Sequence, residues 1–229
     1  MTHPQSLTVG MIVFPHVTQL DLTGPYEVFN RMPRTNVALL ASSLAPVRSE
    51  WGMPFVPDAT FADAPELDVL CVPGGWGVNA MLENAELLTF LRDRGADALY
   101  VTSVCSGALL LGAAGLLRGY RASTHWMSLD LLPLFGAIPV RERVVVDRNR
   151  ITGGGVTAGI DLALVIAAEL FGEQTAQEIQ LAIEYDPMPP FASGSPNSAP
   201  PDVTTAVLRG AERALVERRV IAERAARSM

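Results

Sequence analysis

The stretch "VTSVCSGALLLG" (101–112) decides the fold. An apolar, β-branched run reaches a cysteine, two small residues allow a sharp turn, and a leucine-rich run follows. That pattern is a strand turning abruptly into a helix, with Cys105 at the corner. A side chain placed there stands at the carboxyl end of a strand, the edge where ligands bind in open α/β sheets. The N–H groups of the following helix favour an anion at the corner, so the expectation is a Cys105 thiol with a lowered pKa. A buried structural thiol is the competing reading, because free cysteine is among the most buried residue types. Spacing alone leaves the two open.

Outward from the elbow, strand-like runs end in turns or glycines at 7–14, 36–43, 67–75 and 98–107, with helical patterns between several of them. The alternation predicts an α/β domain with a largely parallel central sheet covered on both faces. "DLTGPYEVFNRM" (21–32) offers Thr23 as a helix cap with Pro25 in the first turn. "SEWGMPFVPDATF" (49–61) reads as a hairpin or edge excursion. Residues 77–95 carry helical periodicity, 128–136 form a short helix stopped at Gly136, and 140–155 form a hairpin turning at 147–149. Two helices follow, 156–172 with few charges and 173–185. The Pro-, Ser- and Gly-rich segment 186–203 is either a linker or an ordered strap across the core or a partner subunit, and Met188 and Phe191 favour the strap. Residues 204–229 form an Arg/Glu-laced amphipathic helix whose charge run reads as a solvated face. The 229 residues are expected to form one domain.

Composition narrows the function. The chain is 49% hydrophobic with a formal net charge of −7, so it lacks the basic footprint that nucleic-acid backbones require. Its first residues lack the pattern of a secretion signal, and the longest apolar run, 108–117, is half a membrane span. A cytoplasmic enzyme or sensor with no nucleic-acid or membrane partner is expected. Cys71 and Cys105 are the two cysteines, and neither lies at metal-ligand spacing. No metal is expected. The glycine loops lack nucleotide-binding patterns, so no cofactor is expected either. Cys71 ends a buried strand and reads as core packing, Glu27 as a helix-face residue, and His3 and His16 as ordinary tail and loop residues.

Two further loops belong to the same sheet edge. "PGGWG" (73–77) can bring backbone N–H groups close to the elbow, and "QLDLTGP" (19–25) places Asp21 in the loop after the first strand. The motifs "DLTGPYEVF", "VPGGWG", "VTSVCSGALLLGAAGLL", "ASTHW" and "ITGGGVTAGIDLAL" together resemble the ThiJ/PfpI superfamily from about Leu7 to Tyr185. The resemblance implies a flavodoxin-like sandwich, a nucleophilic cysteine on the elbow and a homodimer. Peptidase- and glyoxalase-like members usually carry histidine directly after the cysteine; here that residue is Ser106, so a Cys–His pair is missing. With "YDPMPPFASGSP" (185–196) and the Arg-rich last helix, the chain most resembles the isocyanide hydratases of the superfamily. That likeness implies Cys105 as nucleophile, Asp21 as acid and base, and a thioimidate on the way from isocyanide and water to an N-substituted formamide. It also implies anion-stabilising N–H groups from Ser106 and Gly75. Trp76, Val156 and Thr157 are further pocket candidates, Trp76 pointing to lipophilic or aromatic substrates, and His125 reads as a structural histidine. The alternatives are a ligand-sensing domain like those of AraC-type regulators, which share "GPYEVF"- and "STHW"-like features, and a redox or stress sensor using an oxidisable Cys105.

Overall fold

The computed structural model describes residues 6–229; the tail reading and His3 lie outside them. Seven strands form one sheet in the order β10-β11-β7-β6-β1-β2-β5. They are β1 (Leu7–Ile12), β2 (Thr35–Ala41), β5 (Ala59–Thr60), β6 (Val69–Val72), β7 (Tyr100–Val104), β10 (Val144–Asp147) and β11 (Arg150–Gly153). Every pairing is parallel except β10 with β11, which is the expected hairpin at 147–149. Two short two-stranded pairs lie outside the sheet: β3 (Val47–Arg48) with β4 (Pro54–Phe55), and β8 (Arg121–Ala122) with β9 (Ile138–Pro139). β6 and β7 are buried on both faces, so β6 reads as an unbroken apolar run, while in β7 the buried Thr102 hydroxyl donates to the Leu70 carbonyl.

Helices cover both faces. α1 (Gln19–Phe29), α5 (Ala158–Phe171) and α6 (Glu173–Ala182) close one side, where Met11, Phe29, Cys71 and Leu162 share a core. α2 (Val78–Met81), α3 (Ala85–Asp97), α4 (Gly107–Ala113), a 3-10 helix over Trp126–Phe135 and α7 (Pro201–Arg227) close the other, packed around Leu70, Leu109, Leu132 and Ala222. Cys71 is therefore a core residue, and burial pushes its thiol up to about 12.

Three expectations need correction. α1 is not capped at Thr23: it begins at Gln19 after an extended Thr18, whose N–H is held by the Gly74 carbonyl. Pro25 thus lies inside the helix, and Asp21 sits in its first turn rather than in a loop. Because proline has no N–H, the Asp21 carbonyl lacks its helical partner there. The Pro-rich segment does not cross the core of its own chain: Met188 and Phe191 are 88% and 78% exposed, and α7 starts at Pro201, a residue suited to a first helical turn. Finally, α7 is not solvated along its whole charged run, since Ala211, Arg218, Ala222 and Ala225 form a buried stripe at helical spacing.

Candidate active site

Cys105 adopts φ 56°, a left-handed conformation that costs a side-chain-bearing residue and persists only where its surroundings enforce it. They do so from both sides of the peptide: the Cys105 N–H donates to the Gly153 carbonyl at 3.1 Å, and its carbonyl accepts from Thr124 Oγ1 at 2.7 Å. Both partners come from the motifs read in the sequence. Gly107 permits the turn, because a Cβ there would fall 2.2 Å from the Val72 carbonyl oxygen.

Asp21 stands behind the thiol and is fully buried. Its Oδ2 accepts from the Gly74 N–H at 2.9 Å, while Oδ1 has no hydrogen-bond partner. Burial raises the Asp21 carboxyl from 3.8 to about 7, against the lowering effect of the Gly74 N–H and the Cys105 thiol. The Cys105 thiol is raised well above its ordinary value, first by burial and then by the Asp21 charge, while the Ser106 N–H and the Arg218 charge act the other way. This corrects the expectation of a lowered thiol pKa: the helix end and its N–H groups are present, but removal from water outweighs them. Thiol and carboxyl form a coupled pair, in which one negative charge is tolerated and two are not.

The glycine loop packs onto the elbow with almost no clearance. A Cβ on Gly74 would lie 2.5 Å from the Ser106 nitrogen and 2.8 Å from Asp21 Oδ2. Gly75, at φ 132°, donates its N–H to Ser106 Oγ at 3.0 Å and accepts from the same hydroxyl at 3.2 Å. That N–H is committed to the hydroxyl, so the expected anion donor at Gly75 instead positions Ser106. The Ser106 N–H faces the sulfur.

A pocket of about 280 Å³ opens over the thiol. Cys105, Ser106, Gly75, Trp76 and Val156 line it, as expected from the sequence. Thr157 does not: its hydroxyl and carbonyl accept from Arg143 at 3.2 and 3.1 Å, and it faces a neighbouring cavity bordered by residues 194–197. His125 lines the pocket as well. Burial and the Arg218 charge lower its pKa to about 4, so it is neutral at pH 7. Its Nδ1 accepts from the Met127 N–H at 3.4 Å, which leaves the proton on Nε2.

Five pocket residues escaped the sequence reading: Thr18, Met127, Glu50, Trp51 and Arg218. Glu50, at the hairpin turn, accepts from the Trp76 N–H and from Thr18 Oγ1, both at 2.9 Å. Trp51 stands at the rim, 88% exposed. Arg218 reaches in from α7, 4% exposed, with its guanidinium 4.9 Å from the Trp76 ring centroid. No sequence signal marks Glu50 or Trp51. Arg218 is the one charged member of a buried alanine stripe, a signal that the many other Arg and Glu of α7 hide. No cluster of three or more metal-ligating side chains occurs among the described residues.

The DJ-1/PfpI family profile matches residues 8–169. The isonitrile hydratase of Pseudomonas putida is 54% identical over 221 residues, which cover 96% of this chain and 97% of that one. A crystal structure of a ThiJ/PfpI family protein from Pseudomonas syringae superposes with a TM-score of 0.93 at 47% identity, covering 95% of this chain and 90% of that one. The transcriptional regulator GbdR of Pseudomonas aeruginosa is 30% identical over 79% of this chain, which spans only half of the regulator.

Proposed function

We propose that this chain, which belongs to the DJ-1/PfpI family, is an isocyanide hydratase, a hydro-lyase that converts R–NC and water into an N-substituted formamide. The reading rests on the match to the Pseudomonas putida enzyme, which runs through nearly the whole of both chains. The regulator match stops at half of its protein and favours sensing less.

In the reactive form of the pair the proton is on Asp21 and the charge on Cys105. The thiolate attacks the terminal carbon of the isocyanide, forming the C–S bond, while Asp21 gives that carbon its proton. The product is a thioimidate, R–N=CH–S, and Asp21 is now a carboxylate. Asp21 then takes a proton from water as the oxygen adds to the carbon, and passes it to the nitrogen. The tetrahedral adduct collapses: its hydroxyl proton returns to Asp21, C=O forms, and the C–S bond breaks to restore the thiolate. The formamide takes its oxygen and N–H proton from the water and its C–H proton from Asp21, which the water's second proton restores, so two side chains account for each bond change without a metal or organic cofactor. The unpaired Asp21 Oδ1 is the atom free to move these protons. The Ser106 N–H stabilises charge on sulfur, and Trp76, Val156 and Trp51 offer apolar surface to the R group.

A single domain acting as a cytoplasmic homodimer, without nucleic-acid or membrane partners, completes the proposal. No helix of the described residues is long and apolar enough to cross a membrane, and analytical ultracentrifugation tests the dimer. The decisive experiment incubates purified, reduced protein with cyclohexyl isocyanide and follows formamide by chromatography, with Cys105→Ala in parallel. Turnover by the wild type and none by the variant is the expected result. An active Cys105→Ala protein, or an inactive but folded wild type, overturns the reading.

A further inference from the structure

The last helix carries several arginines, and their environments differ. Arg219 and Arg224 are exposed and paired with carboxylates, Asp130 and Glu83. Arg218 is buried, yet its hydrogen-bond partners are all neutral oxygens. Nε donates to Asn79 Oδ1 at 2.7 Å, Nη1 to Ser128 Oγ at 3.1 Å and Nη2 to the Gly75 carbonyl at 3.0 Å. A buried cation without a carboxylate is costly unless another negative charge faces it. Its ring partner, Trp76, offers only a quadrupole.

The groups facing Cys105 name that charge. Asp21 approaches from α1, Glu50 from the hairpin, neutral His125 from the loop before the 3-10 helix, and Arg218 from α7. Behind the sheet edge, Cys71 is a neutral thiol. Among the described residues that line the pocket, Arg218 is the one permanent cation. Glu50 accepts from Trp76 and Thr18, and its charge also acts on Arg218, after that of Cys105.

We propose that Arg218 is a positioning residue of the active site, holding the Gly75–Trp76 loop against Ser106 and supplying the counter-charge to the Cys105 thiolate. The two tasks are joined in one group. The fork fixes the Gly75 carbonyl, the same Gly75 is bonded to Ser106 Oγ, and the Ser106 N–H faces the sulfur. The charge acts through space on Cys105.

The test reads thiolate directly and needs no turnover, so it stands apart from the hydratase assignment. The rate of Cys105 alkylation by iodoacetamide is followed against pH in a Cys71→Ala background, for wild type, Arg218→Gln and Arg218→Lys. Glutamine can still donate to the Gly75 carbonyl but is neutral, and lysine keeps the charge without the fork. Loss of the cation is expected to raise the profile's midpoint by about one unit, a tenfold loss of thiolate at fixed pH below it. The lysine variant is expected to keep its midpoint near wild type. Lysine and glutamine displaced alike, or neither displaced, overturns the counter-charge. Circular dichroism and thermal melts establish that each variant is folded. Should the glutamine variant not fold, Arg218→Met takes its place as the neutral variant: a midpoint raised by about a unit with lysine unmoved upholds the proposal, and no displacement overturns it.

Discussion

Replacing Asp21 by asparagine should stabilise the protein at alkaline pH while abolishing its chemistry. The folded-state carboxyl is held at about 7 against 3.8 for an ordinary aspartate, chiefly because it is buried. Between those values the native state binds a proton that the unfolded chain has released, so stability is fully present below about pH 4 and is lost as pH rises through 7. At about 1.36 kcal/mol per unit, the gap of about three units amounts to about 4 kcal/mol above pH 7. Asparagine never ionises, and its Oδ1 can accept the Gly74 N–H that Asp21 Oδ2 accepts at 2.9 Å. The expected gain is therefore small near pH 4, grows with pH, and reaches about 1–4 kcal/mol at about pH 8. Urea unfolding at about pH 5 and about pH 8 measures it, and turnover on the same samples should fall by at least about a hundredfold, the contribution of a general acid and base. A stability change that is equal at both pH values would refute the buried-carboxyl argument; near-normal turnover would remove Asp21 from the proton transfers.

Three other outcomes follow from the geometry. Gly74→Ala drives a Cβ into the Ser106 nitrogen and Asp21 Oδ2, so it should lose about 1–3 kcal/mol of stability, the range for overpacking, together with most of the turnover; chemical unfolding and initial rates check both. His125, held neutral down to about pH 4 by burial and Arg218, should show no titration between pH 5 and 8 in histidine NMR, and one occurring there would place its ring in water. Trp51→Ala removes a large exposed side chain from the pocket rim. It should raise KM for aromatic isocyanides more than for small ones while leaving the melting temperature within the range of ordinary surface substitutions.

The elbow was legible because its signal is local. A β-branched run, Cys105, and the small residues Ser106 and Gly107 specify strand, corner and helix with no help from distant chain, and the parallel sheet follows from repetition of such runs. Asp21 was legible as a residue at the right edge, but its place in a helical turn was not, since Thr23 and Pro25 imitate a helix start that tertiary contacts at Thr18 override. The charge state of the thiol was misread for a similar reason: a helix end can be seen in sequence, whereas the depth at which Cys105 and Asp21 are buried cannot. Thr157 stood next to Val156 in the same loop, and only the fold shows that one faces the pocket and the other Arg143. Arg218 was masked by its neighbours, because in a helix dense with Arg and Glu a charge on the inner stripe looks like one on the outer face.

The bond from Arg218 to the Gly75 carbonyl joins residues 143 apart. During synthesis the sheet, the elbow and the glycine loop are all translated well before that guanidinium, and long-range contacts of this kind close late in folding. The strained Cys105 backbone must first be held by local partners, Gly153 and Thr124, which are translated within a few dozen residues of it. Full reactivity of Cys105 is thus expected only once α7 has docked, after the scaffold that holds its backbone has formed.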